Sequence, residues 1–172
     1  ANDLVFDPSS RRIDLVGATV TPSVFGHSAT VLYDDATNAL TNKVVVFGGA
    51  TTLVPDAGGG LLPLAGLQKR WTLIDFGATP RTVSSTEPPT AVEVAFHRAA
   101  ITRENQDRAV YWIGGVTGSP VRASSKVFEL RYYSGSTTFA VGTSGLSVAR
   151  VFHVAFQTSL NEATNIVVAG GF

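Results

Sequence analysis

The chain has 172 residues, no cysteine and a formal net charge of zero, and charged side chains make up only 15% of it. The balanced charge argues against a nucleic-acid-binding protein, because phosphate contacts need an excess of lysine and arginine, and the missing cysteine excludes disulfides, thiolate metal sites and a cysteine nucleophile. Apolar residues reach 44%, which predicts one ordered domain over 1–172, but no apolar run approaches the roughly 20 residues of a membrane span.

Short β-rich runs and turn clusters alternate along the chain, and the same succession occurs three times. Each succession reads as two strands around a polar turn, then a strand that begins at a histidine, then a run that ends in Gly-Gly. In chain order, the strand pairs are NDLVFDPSSRRIDLV, RWTLIDFGATPRTV and KVFELRYYSGSTTFAV. The histidine segments are FGHSATV, AFHRAAI and VFHVAFQ, and the final runs are NKVVVFGGATT, RAVYWIGGVTG and TNIVVAGGF. Because no segment keeps a helical apolar period for three turns, the sequence predicts an all-β fold.

The glycine pairs and the histidines share one register. The pairs are spaced by 66 and then 56 residues, and each histidine precedes a pair, by 21, 17 and 17 residues. These positions are His27, Gly48, Gly49, His97, Gly114, Gly115, His153, Gly170 and Gly171. Glycine reaches positive φ without steric strain and lets another backbone come close, so we expect a sharp, crowded turn after each run. The approximate units are 1–50, 51–116 and 117–172.

This order of a histidine strand, a run ending in Gly-Gly and two further strands resembles the kelch repeat. The resemblance covers essentially the whole chain, and Asp7-Pro8 matches the turn acid between the last two strands of a repeat. The family's arginine before the histidine strand is present only as Arg150. The tryptophan of the family's last strand is replaced by Ile13, Val83 and Phe139. The resemblance implies kelch-type β-propeller blades, about three units of four strands each.

The succession begins with the last two strands of a repeat and ends with the first two. In the kelch resemblance, such incomplete blades at the two ends combine into one and close the ring. Three blades do not close, since propellers have four to eight, and an open half ring exposes strand edges. We therefore expect the ring to be closed by a second copy, giving a six-bladed C2 dimer, or by another chain that carries the remainder of a propeller.

Several residue groups invite a ligand-binding interpretation that the sequence does not favour. The glycine runs lack the spacing and the helix of a phosphate-binding loop. Three equivalent histidines are expected to join strands or blades through ring hydrogen bonds rather than to bind a metal. Asp34, Asp35 and Asn38 lack the spacing of a calcium loop, and Trp71 and Trp112 lie in β runs, where core packing is favoured over ligand stacking. No catalytic, metal-binding or cofactor-binding residue is predicted, and no cofactor.

Residues 51–69 form the longest irregular stretch and are unusually apolar. Long loops in compact domains often carry function, so one interpretation is a contact surface for a protein partner. The other is that its leucines cap the sheet edges or a pocket, and the sequence does not separate the two. The candidate contact residues are Leu53, Leu61, Leu62, Leu64 and Arg70.

The function predicted from these features is a non-catalytic kelch-like scaffold for protein–protein interaction or self-assembly. The alternative is a portion of a propeller enzyme, of the galactose oxidase-like or the metal-dependent kelch class, with its active site elsewhere. The first class needs a cysteine cross-linked to a tyrosine. The second needs a Glu/Asp/His ligand set, toward which Glu93 and His97 supply two residues on one strand face.

Overall fold

The computed structural model describes residues 3–7, 12–16, 24–34, 36–37, 39–54, 62, 64–78, 82–87, 92–102, 109–141, 145–160 and 163–172. Within these ranges the chain forms strands and turns and no helix, so the predicted all-β fold is confirmed. The strands are β1 (Asp3–Asp7), β2 (Arg12–Val16), β3 (Ser28–Asp34), β4 (Ala39–Phe47), β5 (Ala50–Leu53), β6 (Leu64–Leu67), β7 (Trp71–Asp75), β8 (Thr82–Thr86), β9 (Arg98–Ile101), β10 (Ala109–Ile113), β11 (Val116–Thr117), β12 (Arg122–Ala123), β13 (Val127–Tyr133), β14 (Ser136–Val141), β15 (Val154–Leu160) and β16 (Ala163–Ala169).

Two antiparallel sheets of four strands have the same internal order. The first runs β3-β4-β7-β8 and the second β9-β10-β13-β14. In each, the strand after a histidine lies at one edge, and the strand that ends in a glycine pair lies beside it. The following pair of strands then completes the sheet. Each sheet thus takes its strands from two successive sequence units.

Four two-stranded ribbons accompany the sheets. Strands β1 and β2 pair with each other, as do β15 and β16, and these pairs correspond to the last two and the first two strands of a sheet. Small ribbons, β5-β6 and β11-β12, follow the first two glycine pairs. The first of them corrects the prediction of an irregular stretch over 51–69, because Ala50 pairs with Leu67 and Leu53 with Leu64.

The main apolar core lies between the two four-stranded sheets. Phe47 of β4 stacks on Trp112 of β10, with ring centroids 4.4 Å apart, and packs edge-on against Phe128 of β13 at 5.4 Å. Strand β13 alternates buried and half-buried positions, as a strand with one face in a core does. The buried members of this core are Leu32, Val45, Phe47, Trp71, Val94, Val110, Trp112, Phe128, Leu130 and Tyr132. Both tryptophans are therefore core residues, as predicted.

A second apolar cluster lies where the glycine pairs meet the histidine segments. It joins residues of all three units, and the ribbon β5-β6 covers it. Its buried members are Ala50, Leu64, Leu67, Ala95, Val116, Val121 and Val151. Strand β8, by contrast, has only exposed positions, and its sequence TVSST is almost entirely polar. The outer edge of the first sheet is thus hydrophilic, which disfavours further strand pairing there.

The contribution of the main core can be measured with a matched pair of phenylalanine substitutions. Phe47→Ala is expected to lower the free energy of unfolding by about 3–5 kcal/mol, because it leaves a cavity among packed rings. Phe156→Ala, at a side chain that is 51% exposed in the single chain, is expected to lower it by less than about 1 kcal/mol in solutions dilute enough to keep the chains apart. Urea denaturation followed by tryptophan fluorescence measures both. Equal losses for the two variants would contradict the described core.

Candidate interaction surface

The first glycine of each of the first two pairs ends its strand in a left-handed turn. Gly48 has φ 64° and Gly114 has φ 63°, values that side chains other than glycine rarely adopt. The Gly48 N–H donates to the carbonyl of Arg70 at 3.0 Å, and the Gly114 N–H donates to the carbonyl of Lys126 at 2.9 Å. Each turn is therefore fixed to the chain segment that enters the next strand of the same sheet.

The second glycine connects its unit to the next one along the chain. The Gly49 N–H donates to the carbonyl of Val94, and the Gly115 N–H donates to the carbonyl of Arg150, both at 2.8 Å. Val94 and Arg150 each stand three residues before a histidine. We call this contact between a glycine pair and the next histidine segment the junction. The described residues contain it twice, with the same donors and acceptors.

The junction leaves no room for a side chain at the first glycine. A Cβ on Gly48 would lie 2.4 Å from the carbonyl oxygen of Val94, and one on Gly114 would lie 2.7 Å from that of Arg150. Real Cβ atoms do not approach backbone oxygens so closely. The first glycine of each pair is thus required both by its backbone conformation and by the backbone of the following unit, whereas the second is crowded by the histidine segment of its own unit.

The two later histidines cover these glycines. The Cε1 atom of His97 lies 3.0 Å from the position of a Cβ on Gly48, and the Cε1 atom of His153 lies 2.7 Å from that on Gly114. His97 is 2% exposed and His153 is fully buried. A hydrogen bond of 2.8 Å joins Nε2 of His97 to the hydroxyl of Ser28 in β3, across two units. His27, in the first unit, is exposed.

Burial sets the charge state of the covered histidines. Desolvation, with smaller electrostatic contributions from His27, Arg98 and His153, lowers the pKa of His97 to about 3. Desolvation also lowers the pKa of His153; the backbone of Ile113 opposes that shift, while Arg98 and Arg150 add to it. Both rings are therefore neutral at physiological pH, and they pack at the junctions as uncharged groups.

Each histidine follows a residue with a left-handed backbone. The φ angles are 67° at Gly26, 55° at Phe96 and 58° at Phe152. A phenylalanine in this conformation is strained, at about 1–2 kcal/mol, and residue preferences gave no signal for it. The ring of Phe96 lies over Gly26, where a Cβ would come within 2.8 Å of it, and the rings of Phe96 and Phe152 meet edge-on at 5.4 Å.

The predicted contact residues of the 51–69 stretch separate into two groups. Leu53 is 67% exposed, whereas Leu64 is 8% exposed and belongs to the second apolar cluster, against which half-buried Leu62 also packs. Arg70 pairs with the Glu87 carboxylate at 2.8 Å. Leu61 lies outside the described residues. Leu62 and Leu64 therefore cap an apolar core. The side chain of Leu53 faces outward instead.

Asp34 forms hydrogen bonds to the backbone. Its Oδ1 accepts from the N–H of Ala36 and from the N–H of Ser134, both at 3.0 Å, so it joins the turn after β3 to the turn between β13 and β14. Asp35 and Asn38 lie outside the described residues. Within the part of the chain that the structure describes, no three His, Asp or Glu side chains are grouped so that they could hold a metal ion.

A groove of about 560 Å³ lies along the first strands of the three units. Polar side chains of Thr30 and Gln157 and apolar side chains of Ile101 and Phe156 line it, together with three alanines. None of these residues titrates near neutral pH, so the described lining holds no general acid or base.

Comparison of the sequence with protein-family models and with curated proteins finds no match. Among the described residues there is no helix of the length and apolarity needed to cross a membrane.

The steric requirement at the junction is tested by two glycine substitutions. Gly48→Ala and Gly135→Ala both place a Cβ at a positive φ, but only the first meets a backbone oxygen, since Gly135 has nothing within 4 Å. We expect Gly135→Ala to lower the free energy of unfolding by about 1 kcal/mol and Gly48→Ala by about 2–4 kcal/mol. Chemical denaturation measures the difference, and equal effects would contradict the crowding described at Gly48.

The buried histidine predicts a pH dependence of stability. The pKa of His97 is about 3 in the folded chain and 6.5 when exposed, so the unfolded state binds a proton that the folded state does not. The free energy of unfolding therefore falls as the pH drops below 6.5, by about 1.4 kcal/mol per pH unit from this group. In His97→Asn this slope is expected to be shallower. Denaturation of both proteins between about pH 7 and pH 4.5 measures it, and identical slopes would contradict the prediction.

Proposed function

We propose that this chain is a non-catalytic scaffold of the kelch-like propeller class, and that it acts by binding protein, in the first instance a second copy of itself. The observation that carries the proposal is the repeated junction. One junction joins the two four-stranded sheets, and the same backbone contacts join the second sheet to the ribbon β15-β16, as expected for successive members of a ring. A scaffold also agrees with a described groove that is lined by alanines and uncharged side chains.

The unpaired ribbons support self-assembly. Strands β15 and β16 have the positions of the first two strands of a sheet, and β1 and β2 have those of the last two. In both complete sheets, the second strand pairs antiparallel with the third, as Val45 does with Leu73 and Trp112 with Phe128. The same pairing between β16 of one copy and β1 of another would complete a sheet. Two copies would complete two, giving a closed ring of six sheets.

Closure of the ring would also bury apolar side chains that are exposed in the single chain. Around β15 and β16, Phe152 is 43% exposed, Val154 54%, Phe156 51% and Phe172 67%. The rings of Phe152 and Phe172 lie 5.6 Å apart. Exposed apolar side chains of this kind favour association in water, and the zero net charge of the chain does not oppose it. Leu53, outside this surface, is a further contact position for a protein partner.

Solution mass tests this proposal directly. Light scattering after gel filtration is expected to give a species at twice the chain mass of 18.0 kDa, with dissociation on dilution. A dimer is the expected species because each copy carries both complementary ribbons and two copies give six sheets, a number within the four to eight of a propeller. A well-folded species at the mass of one chain at all concentrations would contradict self-assembly.

A further inference from the structure

The end of the third unit exposes positions that the first two units bury. Ala50 and Val116, which follow the first two glycine pairs, have 0% exposure, whereas Phe172, which follows the third, is 67% exposed. Gly170 and Gly171 are exposed, although all four glycines of the earlier pairs are buried. We call Ala169–Phe172 the tail surface. Its backbone corresponds to the glycine side of a junction, and no following histidine segment among the described residues covers it.

The start of the first unit exposes the complementary side. His97 and His153 are buried over the preceding glycine pair, but His27, in the same register, is exposed. Val24 stands three residues before His27, in the position of Val94 and Arg150, whose carbonyls accept the junction hydrogen bonds. We call residues 24–27 the head segment.

The backbone of the tail surface already has the conformation of a junction. Gly170 has φ 72° and Gly171 has φ 79°, both left-handed like the earlier pairs. Phe172 forms the same antiparallel bridge with Val151 that Val116 forms with Ala95, with hydrogen bonds of 2.9 and 3.2 Å. The tail surface therefore needs no rearrangement to receive a head segment.

Gly170 marks the uncovered position most directly. A Cβ on Gly48 or Gly114 would collide with a carbonyl oxygen of the next unit, but a Cβ on Gly170 would meet nothing within 4 Å. The left-handed backbone at Gly170 is by itself a sufficient reason for a glycine at this position, as it is at Gly135. A Cβ on Gly171 would lie 2.6 Å from the carbonyl oxygen of Val151, as one on Gly115 would lie 2.4 Å from that of Ala95. Within this pair, therefore, only Gly170 lacks the covering backbone that its counterparts have.

We propose that the tail surface is a docking site for the head segment of a second copy, in a third junction of the same construction as the two within the chain. The inference rests on the proposed self-assembly and specifies where the two copies meet. The Gly171 N–H would donate to the carbonyl of Val24 of the second copy, and the second copy's His27 would become buried over Gly170. A twofold dimer contains this junction twice, since each copy supplies one head and one tail.

The test compares Gly170→Ala with Gly135→Ala by light scattering over a dilution series. Both substitutions place an alanine at a left-handed position with open space around it in the single chain, so equal thermal unfolding of the dissociated chains checks that folding is intact. Gly170→Ala is expected to raise the dissociation constant of the dimer at least about tenfold, and Gly135→Ala to leave it unchanged.

His27→Ala provides an independent variant on the head side. It removes a ring that is exposed in the single chain and is expected to weaken the dimer in the same direction. A mixture of Gly170→Ala and His27→Ala chains is expected to dimerise more tightly than Gly170→Ala alone, because one of its two junctions joins an intact head to an intact tail.

The outcomes separate this inference from the proposed function. A wild-type dimer that Gly170→Ala leaves unchanged would overturn the junction and leave self-assembly standing. A wild-type chain that is monomeric at every concentration would overturn both. Loss of the dimer in Gly170→Ala and in Gly135→Ala alike would also overturn the junction, because the effect would then follow from backbone strain in general.

Discussion

The contact on which the rest of this structure depends is the approach of one backbone to another at the glycine pairs. A carbonyl oxygen of the next unit lies where the Cβ of any other residue would be, and an N–H of the pair donates to that oxygen. Because these groups belong to the backbone, the contact is the same at both junctions although the surrounding side chains differ. It fixes the spacing of the sheets, and the spacing in turn allows Phe47 to stack on Trp112 between them.

The buried histidines follow from the same constraint. A ring placed over a glycine turn fills space that a larger side chain at the turn would otherwise occupy, and it loses its water in doing so. The neutral ring of His97 keeps one hydrogen bond, to Ser28, and otherwise packs as a flat apolar group. Burying a charged ring there would be unfavourable by several kcal/mol. Histidine is therefore used for its shape and for a single hydrogen bond.

Sequence periodicity predicted the strands well because each strand is short, apolar and bounded by turn residues. The glycine pairs and histidines were found through their common register, and the structure shows what each touches. Nothing in the sequence predicted the left-handed backbone at Phe96 and Phe152. Phenylalanine does not favour that conformation, and only the packing of the rings holds it. The 51–69 stretch was misread at its ends, because the pairing of β5 with β6 spans a long connection that local patterns do not reveal. Leu64 is buried by that pairing.

The strained phenylalanines also connect the three units to one another. At the corresponding place in the first unit a glycine adopts the same backbone angle without strain. Glycine at all three places would remove the strain but also the rings, and the ring of Phe96 packs against Phe25 at 6.4 Å and against Phe152 at 5.4 Å. The backbone strain at the two phenylalanines is thus offset by contacts between rings, which continue from Phe152 to Phe172 at 5.6 Å and form one aromatic row along the three units.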